Sequence, residues 1–399
     1  MRVLKITFFA LTFWLCYSFV GCSPVAFSGS SVSGASVTCN GTGQTCTSAS
    51  GVNSFNYTVT VPQTLVDILF VVDNTASMSA IQTQIGSRFP NFIQSLNGIS
   101  YQLGITTTDI SSSTDPSYAG NGPSPANGQG ALQSGNLIAF PDGSKVLTPT
   151  SNSSNPAPYF LSTIQRPETL SCEAWLATPA GQACEKSNQC AQYSQFCPSE
   201  DSRGIYAANL VIQNNPSGLL RANVPLAVVI ISNSDERNSG GRLGINLLAA
   251  LDEPASLQST LTAQFQSTKT MTVQSIVIDP ALNGNCLQQQ TFSSVLFGWP
   301  GSQYIAASNA TGGAVGDVCA TNYTQQMGQI ATNIATQLNT ISLGCAPINN
   351  KINITLNPPD ASANPQLSTT NNQLVQFAHT LATGTQVNLQ YQCDLPSGS

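Results

Sequence analysis

Val66-Asp67-Ile68-Leu69-Phe70-Val71-Val72-Asp73-Asn74-Thr75-Ala76-Ser77-Met78 decides the reading of this chain. An apolar run ends in a carboxylate, and two hydroxyl side chains follow at spacings of two. A run of this kind is a strand buried on both faces, as in a parallel sheet. The turn after it offers Asp73, Thr75 and Ser77 from one short loop. These are hard oxygen donors, of the kind Mg²⁺ prefers. Ser and Thr also favour helix N-caps, so a helix is expected to begin just beyond.

Working outward, strands and helices alternate. Ser79 to Leu96 places Ile81, Ile85, Phe89, Phe92, Ile93 and Leu96 at helical spacing, with Pro90 as a point of kinking. Tyr101 to Thr106 reads as a second strand, ending Thr107-Thr108-Asp109. A loop dense in Gly, Pro, Ser and Asn spans about 111–136. Leu137 to Phe140 and Lys145 to Leu147 flank Pro141-Asp142-Gly143, a hairpin signal. Asp201 to Ile212 reads as a helix, Leu226 to Ile231 as a buried strand, and Asn246 to Phe265 as a helix broken at Pro254. Val273 to Ile278 and Tyr304 to Ala307 read as strands, and Tyr323 to Leu338 as a helix. This alternation predicts an α/β fold, a doubly wound, mostly parallel sheet flanked by helices. After Cys345 the apolar period drops to two, in Ile352-x-Ile354-x-Leu356, Val375-x-Phe377 and Val387-x-Leu389-x-Tyr391. A small all-β domain over 344–399 is therefore expected.

The chain has 399 residues, is 41% hydrophobic and only 8% charged, against about 25% in ordinary soluble proteins. Its polarity comes from neutral groups. With 12 basic residues, no Lys/Arg run and a net charge of −6, a nucleic-acid partner is not expected. Arg2 and Lys5 precede an apolar segment from Ile6 to Val20, shorter than a typical membrane span. It ends in Gly21-Cys22-Ser23, which resembles a bacterial lipobox. That resemblance implies a signal peptide over 1–22, lipidation at Cys22 and a membrane-anchored lipoprotein; Ser23, rather than Asp, implies the outer membrane. Residues 23–61 read as a Ser/Gly/Thr-rich tether, with Asn56 to Val61 as an edge strand.

Twelve cysteines less Cys16 and Cys22 leave ten, an even number that reads as disulfides in an exported chain. The expected pairs are Cys39 with Cys46, Cys286 with Cys319, and Cys345 with Cys393. Cys172, Cys184, Cys190 and Cys197 pair among themselves in an insertion at about 165–200. The rival there is a zinc site, but the spacings are not paired Cys-x-x-Cys.

Asp73-x-Thr75-x-Ser77, the order of elements over 62–343, and the segments Leu103-Gly104-Ile105-Thr106-Thr107-Thr108-Asp109 and Tyr304-Ile305-Ala306-Ala307 with Gly312-Gly313 and Cys319 together resemble the von Willebrand factor A family, in its bacterial cell-surface lipoprotein subset. That family's metal-ion-dependent adhesion site begins Asp-x-Ser-x-Ser, and Thr75 keeps the hydroxyl of the first Ser. The resemblance implies a bound Mg²⁺ or Mn²⁺ at the carboxyl ends of the strands. The family adds a Thr from a second loop and an Asp after its fourth strand. Here Ser199 or Ser202 would supply the hydroxyl. Asn233 stands where the Asp is expected, with Asp235 two residues on, and Asn brings an oxygen but no charge. Thr107 and Asp109 lie near the same edge and would compensate. The partner implied is a protein or other surface ligand, whose acidic side chain completes the metal's shell. The alternative is a metal-independent structural or assembly component of the envelope. The chain carries no Gly-x-Ser-x-Gly, His-Glu-x-x-His or phosphate-binding loop, and its lone His379 sits in a strand pattern far from any indicated Ser. It reads as not an enzyme.

Overall fold

In the computed structural model the described residues are 45–49, 52–61, 64–96, 98–110, 133–186, 192–198, 202–222, 224–238, 247–265, 269–290, 298–343, 345–368, 374–379 and 381–394. The expected signal peptide with Cys22, the Cys39–Cys46 pair, most of the loop at 111–136, Cys190 and Ser199 lie wholly or partly outside them. No helix among the described residues is long and apolar enough to cross a membrane.

The strands are β1 (Thr45–Ala49), β2 (Val52–Thr60), β3 (Leu65–Val72), β4 (Ser100–Thr107), β5 (Leu226–Ile231), β6 (Met271–Val277), β7 (Val315–Asp317), β8 (Thr340–Ser342), β9 (Ile352–Asn357), β10 (Gln366–Leu367), β11 (Leu374–Gln376) and β12 (Gln386–Asp394). The helices are α1 (Ser79–Ser95), the single turn α2 (Ser151–Ser154), α3 (Ala157–Ile164), α4 (Pro167–Leu176), α5 (Pro179–Lys186), α6 (Tyr193–Phe196), α7 (Gly204–Asn214), α8 (Pro254–Phe265), α9 (Cys286–Gln289), α10 (Ser302–Thr311) and α11 (Tyr323–Leu338).

Five strands form one parallel sheet in the order β4-β3-β5-β6-β7. Strand alternation divides its side chains between two cores. Val66, Ile68, Phe70 and Val72 face α1, α3 and α11, through Ile85, Phe89, Phe160, Met327 and Ile330. Leu69 and Val71 face α7, α8 and α10, through Ile205, Leu257, Leu261 and Tyr304. β5 and the Ile68–Val72 part of β3 are buried on both sides, which is why each reads as an unbroken apolar run. The α1 and α3 backbones pack closely at Gly86, where a Cβ would fall 2.5 Å from Leu161 Cδ1.

Three sequence expectations are corrected. Tyr304–Ala307 is not a strand but part of α10, whose buried residues Tyr304, Ala307 and Ser308 follow helical spacing. The fifth strand is β7, three residues long; it starts after Gly312 (φ 70°) ends α10 and after Gly313, where a Cβ would lie 1.8 Å from Val273 O. At 137–147 the Phe140–Gly143 turn forms, but its arms are not paired strands. Ile138 N instead donates to Ile105 O and Leu147 bridges Leu103, so the segment lines the β4 edge. The third correction concerns the tether. β2 is not an edge strand but pairs along its whole length with β12, in the sheet β1-β2-β12-β9. A second sheet, β10-β11-β8, shares its core through Phe55, Ile341, Val375, Val387 and Leu389. The small β-domain is thus built from both ends of the chain, around the inserted α/β domain.

Disulfides join Cys172 to Cys197, Cys286 to Cys319, and Cys345 to Cys393. Cys184 is also disulfide-bonded. The oxidised Cys172–Cys197 pair is incompatible with a zinc-thiolate site in the insertion. It anchors α4, whose cluster of Cys172, Leu176, Tyr193 and Cys197 packs on Ala76 of the loop after β3.

Candidate functional site

The sheet order reverses between β4 and β5 about β3, so the switch point lies between the carboxyl ends of β3 and β5, where open α/β sheets bind ligands. Asp73 follows β3 there and Ser232 follows β5. The Asp73 side chain is fully buried. Its Oδ1 accepts from Thr75 N (2.9 Å) and Thr75 Oγ1 (2.8 Å), and its Oδ2 accepts from Ser232 Oγ (2.6 Å) and Ser202 Oγ (3.0 Å). Ser77 Oγ lies 3.3 Å from Thr75 Oγ1 and accepts from Asn233 Nδ2 at 3.0 Å. One carboxylate thereby gathers hydroxyls from three loops. Each hydroxyl that gives its proton to Asp73 keeps lone pairs of its own.

Of the two residues that compete for the loop after β5, Asn233 is the one beside Ser77; its amide also donates to Gln290 Oε1. Asp235 points elsewhere, accepting from Gln303 N in the first turn of α10 (2.9 Å). Asp109 and Thr107 are not bonded to Asp73. Asp109 Oδ2 accepts from Asn74 Nδ2 at 2.7 Å, and Thr107 Oγ1 is buried without a hydrogen-bond partner. Ser232, the first residue after β5, is a hydroxyl that the sequence pattern alone does not single out.

The insertion and α1 brace this loop from the side. Thr169 Oγ1 donates to Asn74 O (2.6 Å), and Gln82 Nε2 donates to Asp73 O (2.9 Å). Glu168, paired with Arg166 at 2.9 Å, accepts from Asn74 Nδ2. Nothing in the spacing of α4 announced this role.

Behind the loop, Arg203 forks onto Asp252 (2.8 and 2.9 Å), and Glu236 accepts from Ile205 N and Tyr206 N at the start of α7. Burial, and then the nearby Asp252, push the Glu236 carboxyl well above its usual value near 4.5, against the pull of those two amides. A carboxyl raised on folding contributes stability that is whole below its unfolded pKa and is lost as pH rises through its folded pKa. Glu236→Gln removes that loss. Urea unfolding at about pH 5 and about pH 8 is expected to show a smaller stability difference in the variant than in the wild type; an equal or larger difference would contradict the assignment.

Two other clusters bring together side chains capable of chemistry. Cys286, Cys319 and Asp317 lie together, but the sulfurs are joined to each other. His379 is not in a strand but on an exposed bend after β11, and Ser362, 17 residues away, does reach it. Its Nε2 lies 3.0 Å from Ser362 Oγ and 3.2 Å from Asp360 Oδ2, while Ser362 Oγ donates to Asp360. A nucleophile relay uses the two ring nitrogens for different partners, whereas here one nitrogen faces both.

The sequence matches no family model and no curated protein. Among solved structures, the chain is similar to the pilus adhesin SpaC from Lactobacillus rhamnosus GG, at 12% identity and TM-score 0.29, over 88% of this chain and 42% of that one. It is also similar to the pilus adhesin RrgA from Streptococcus pneumoniae, at 10% identity and TM-score 0.28, over 87% and 59%. A third is proximal thread matrix protein 1 from the mussel byssus, at 10% identity and TM-score 0.32, over 72% and 51%. The chain spans less than two thirds of the length of each of these. Likeness at this level carries neither family nor function over to this chain.

Proposed function

We propose that this chain is a non-enzymatic surface-binding protein of the von Willebrand factor A type, whose α/β domain holds Mg²⁺ or Mn²⁺ at Asp73 and contacts a protein or other surface ligand there. The observation that carries this reading is the donor set. Thr75, Ser77 and Ser202 present hydroxyl oxygens around one buried carboxylate at the switch point of the sheet. All are hard oxygens, which suits a small divalent cation that keeps several waters. The charge at this edge points the same way. Among the described residues it buries Asp73, Asp109, Glu168, Asp235, Glu236 and Asp252 against Arg166, Arg203 and Arg237. Even with Glu236 set aside, five carboxyl groups stand against three cationic side chains. The cation would supply an open coordination position for an acidic ligand group. Asp73 and the hydroxyls would orient it, and Asn233 would add an oxygen without charge.

One observation favours a second reading, a metal-independent envelope component. Both Asp73 oxygens are already satisfied by four protein donors. Mn²⁺ titration of the wild type beside Asn233→Asp separates the two. The cation reading predicts saturable binding in both, tighter in the variant by about tenfold or more because ligand charge sets affinity. No saturable binding to either protein would leave the second reading standing. Membrane anchoring at Cys22 and an outer-membrane position belong to the same proposal, and labelling with a radioactive fatty acid, lost in Cys22→Ala, would test them.

A further inference from the structure

A second recess lies at the opposite end of the sheet. Asp67 and Asp73 are six residues apart along β3, about 20 Å in an extended strand. Asp67 is buried, and one carboxylate there meets two cations. Arg221 Nε donates to Oδ1 at 2.7 Å, and Lys269 Nζ donates to Oδ2 at 2.6 Å. The cluster therefore carries an excess positive charge, in a chain whose net charge is −6. Arg221 also donates through Nη2 to Val66 O (2.9 Å), while its Nη1 has no partner among the described residues. Its side chain is 25% exposed.

That guanidinium lines a cavity of about 520 Å³ beside the start of β4, together with Ser100, Tyr101, Gln102, Thr148 and Thr150. The volume is within the range of small-molecule sites, roughly 300–1,000 Å³. Gln102 pairs with Asp67 in the β3–β4 register and shares its face. Gln102 Oε1 and Tyr101 Oη are buried beside the recess without a hydrogen-bond partner. The rest of the polar lining is hydroxyl.

We propose that this cavity binds a sugar acid, a monosaccharide unit bearing one carboxylate. Arg221 Nη1 takes the carboxylate, in the charge-assisted geometry that guanidinium favours. The hydroxyls of Ser100, Thr148 and Thr150 exchange hydrogen bonds with the sugar hydroxyls. The site owes nothing to the cation at Asp73, so it stands or falls separately from the function proposed above.

The test is calorimetric titration of the full chain with glucuronic acid, with glucose and inorganic phosphate as controls, all in excess EDTA. The expected result is saturable glucuronic acid binding, with glucose and phosphate each weaker by about tenfold or more. Arg221→Gln should weaken glucuronic acid by a similar factor. Because that variant also disturbs the Asp67 cluster, Thr150→Trp is run beside it. Thr150 lines the recess, is exposed and takes no part in the Asp67 pairs, so a Trp there is expected to occupy the recess. Loss of binding in Thr150→Trp supports the proposal. It is overturned if glucuronic acid does not bind the wild type, if glucose or phosphate binds as tightly, or if Thr150→Trp binds unchanged.

Discussion

Replacing Arg203 with Met is expected to lower the stability of the α/β domain by about 3–5 kcal/mol, the cost of breaking a buried pair on one side. Arg203 is fully buried, forks onto both oxygens of Asp252, and lies 4.0 Å over the Tyr206 ring. Met keeps much of the packing volume and none of the charge. Asp252 then remains buried beside Glu236 with no guanidinium to offset its charge. The double change Arg203→Met with Asp252→Leu should recover most of the lost stability, since an apolar pair of similar volume commonly matches a buried ion pair. Urea unfolding of the two variants checks both statements. A single-variant loss under about 1 kcal/mol would mean that the pair does not hold α7 to the segment before α8.

Phe160→Ala is expected to cost about 3–5 kcal/mol, as for other large aromatic truncations in a closed core. The ring is fully buried, stacked on Phe89 at 3.8 Å between centroids and edge-on to Phe70 at 5.0 Å. It is the hinge of the α1, α3 and β3 packing. α3 cannot collapse into the space, because Leu161 already meets Gly86. Thermal unfolding followed by circular dichroism would measure the loss, and a cost below about 1.5 kcal/mol would show that the layer relaxes more than this packing implies.

The sheet was legible because its central strands are apolar on both faces, and β3 and β5 could be read from composition alone. So could α11, whose Met327, Ile330 and Ile334 repeat at helical spacing. α10 was misread because Tyr304-Ile305-Ala306-Ala307 is too short to show its period. Its true strand neighbour, β7, has only three residues and no apolar run. β2 was mistaken for an edge because its partner, β12, lies more than 300 residues away, and pairing at that separation leaves no local trace. At the site, Asp73, Thr75 and Ser77 were visible because one loop holds them. Ser232 and Ser202 are united with Asp73 only by the fold. Asp235, a carboxylate beside the candidate site, accepts from Gln303 N at a helix N-terminus, where acidic groups are favoured for a different reason.

The most direct measurement of the central claim is calorimetric titration of Mn²⁺ and Mg²⁺ into the wild-type chain and into Asp73→Ala. The predicted result is saturable binding of either ion to the wild type and none to the variant, with circular dichroism showing both proteins folded. Binding retained in folded Asp73→Ala, or absent from the wild type, would contradict it.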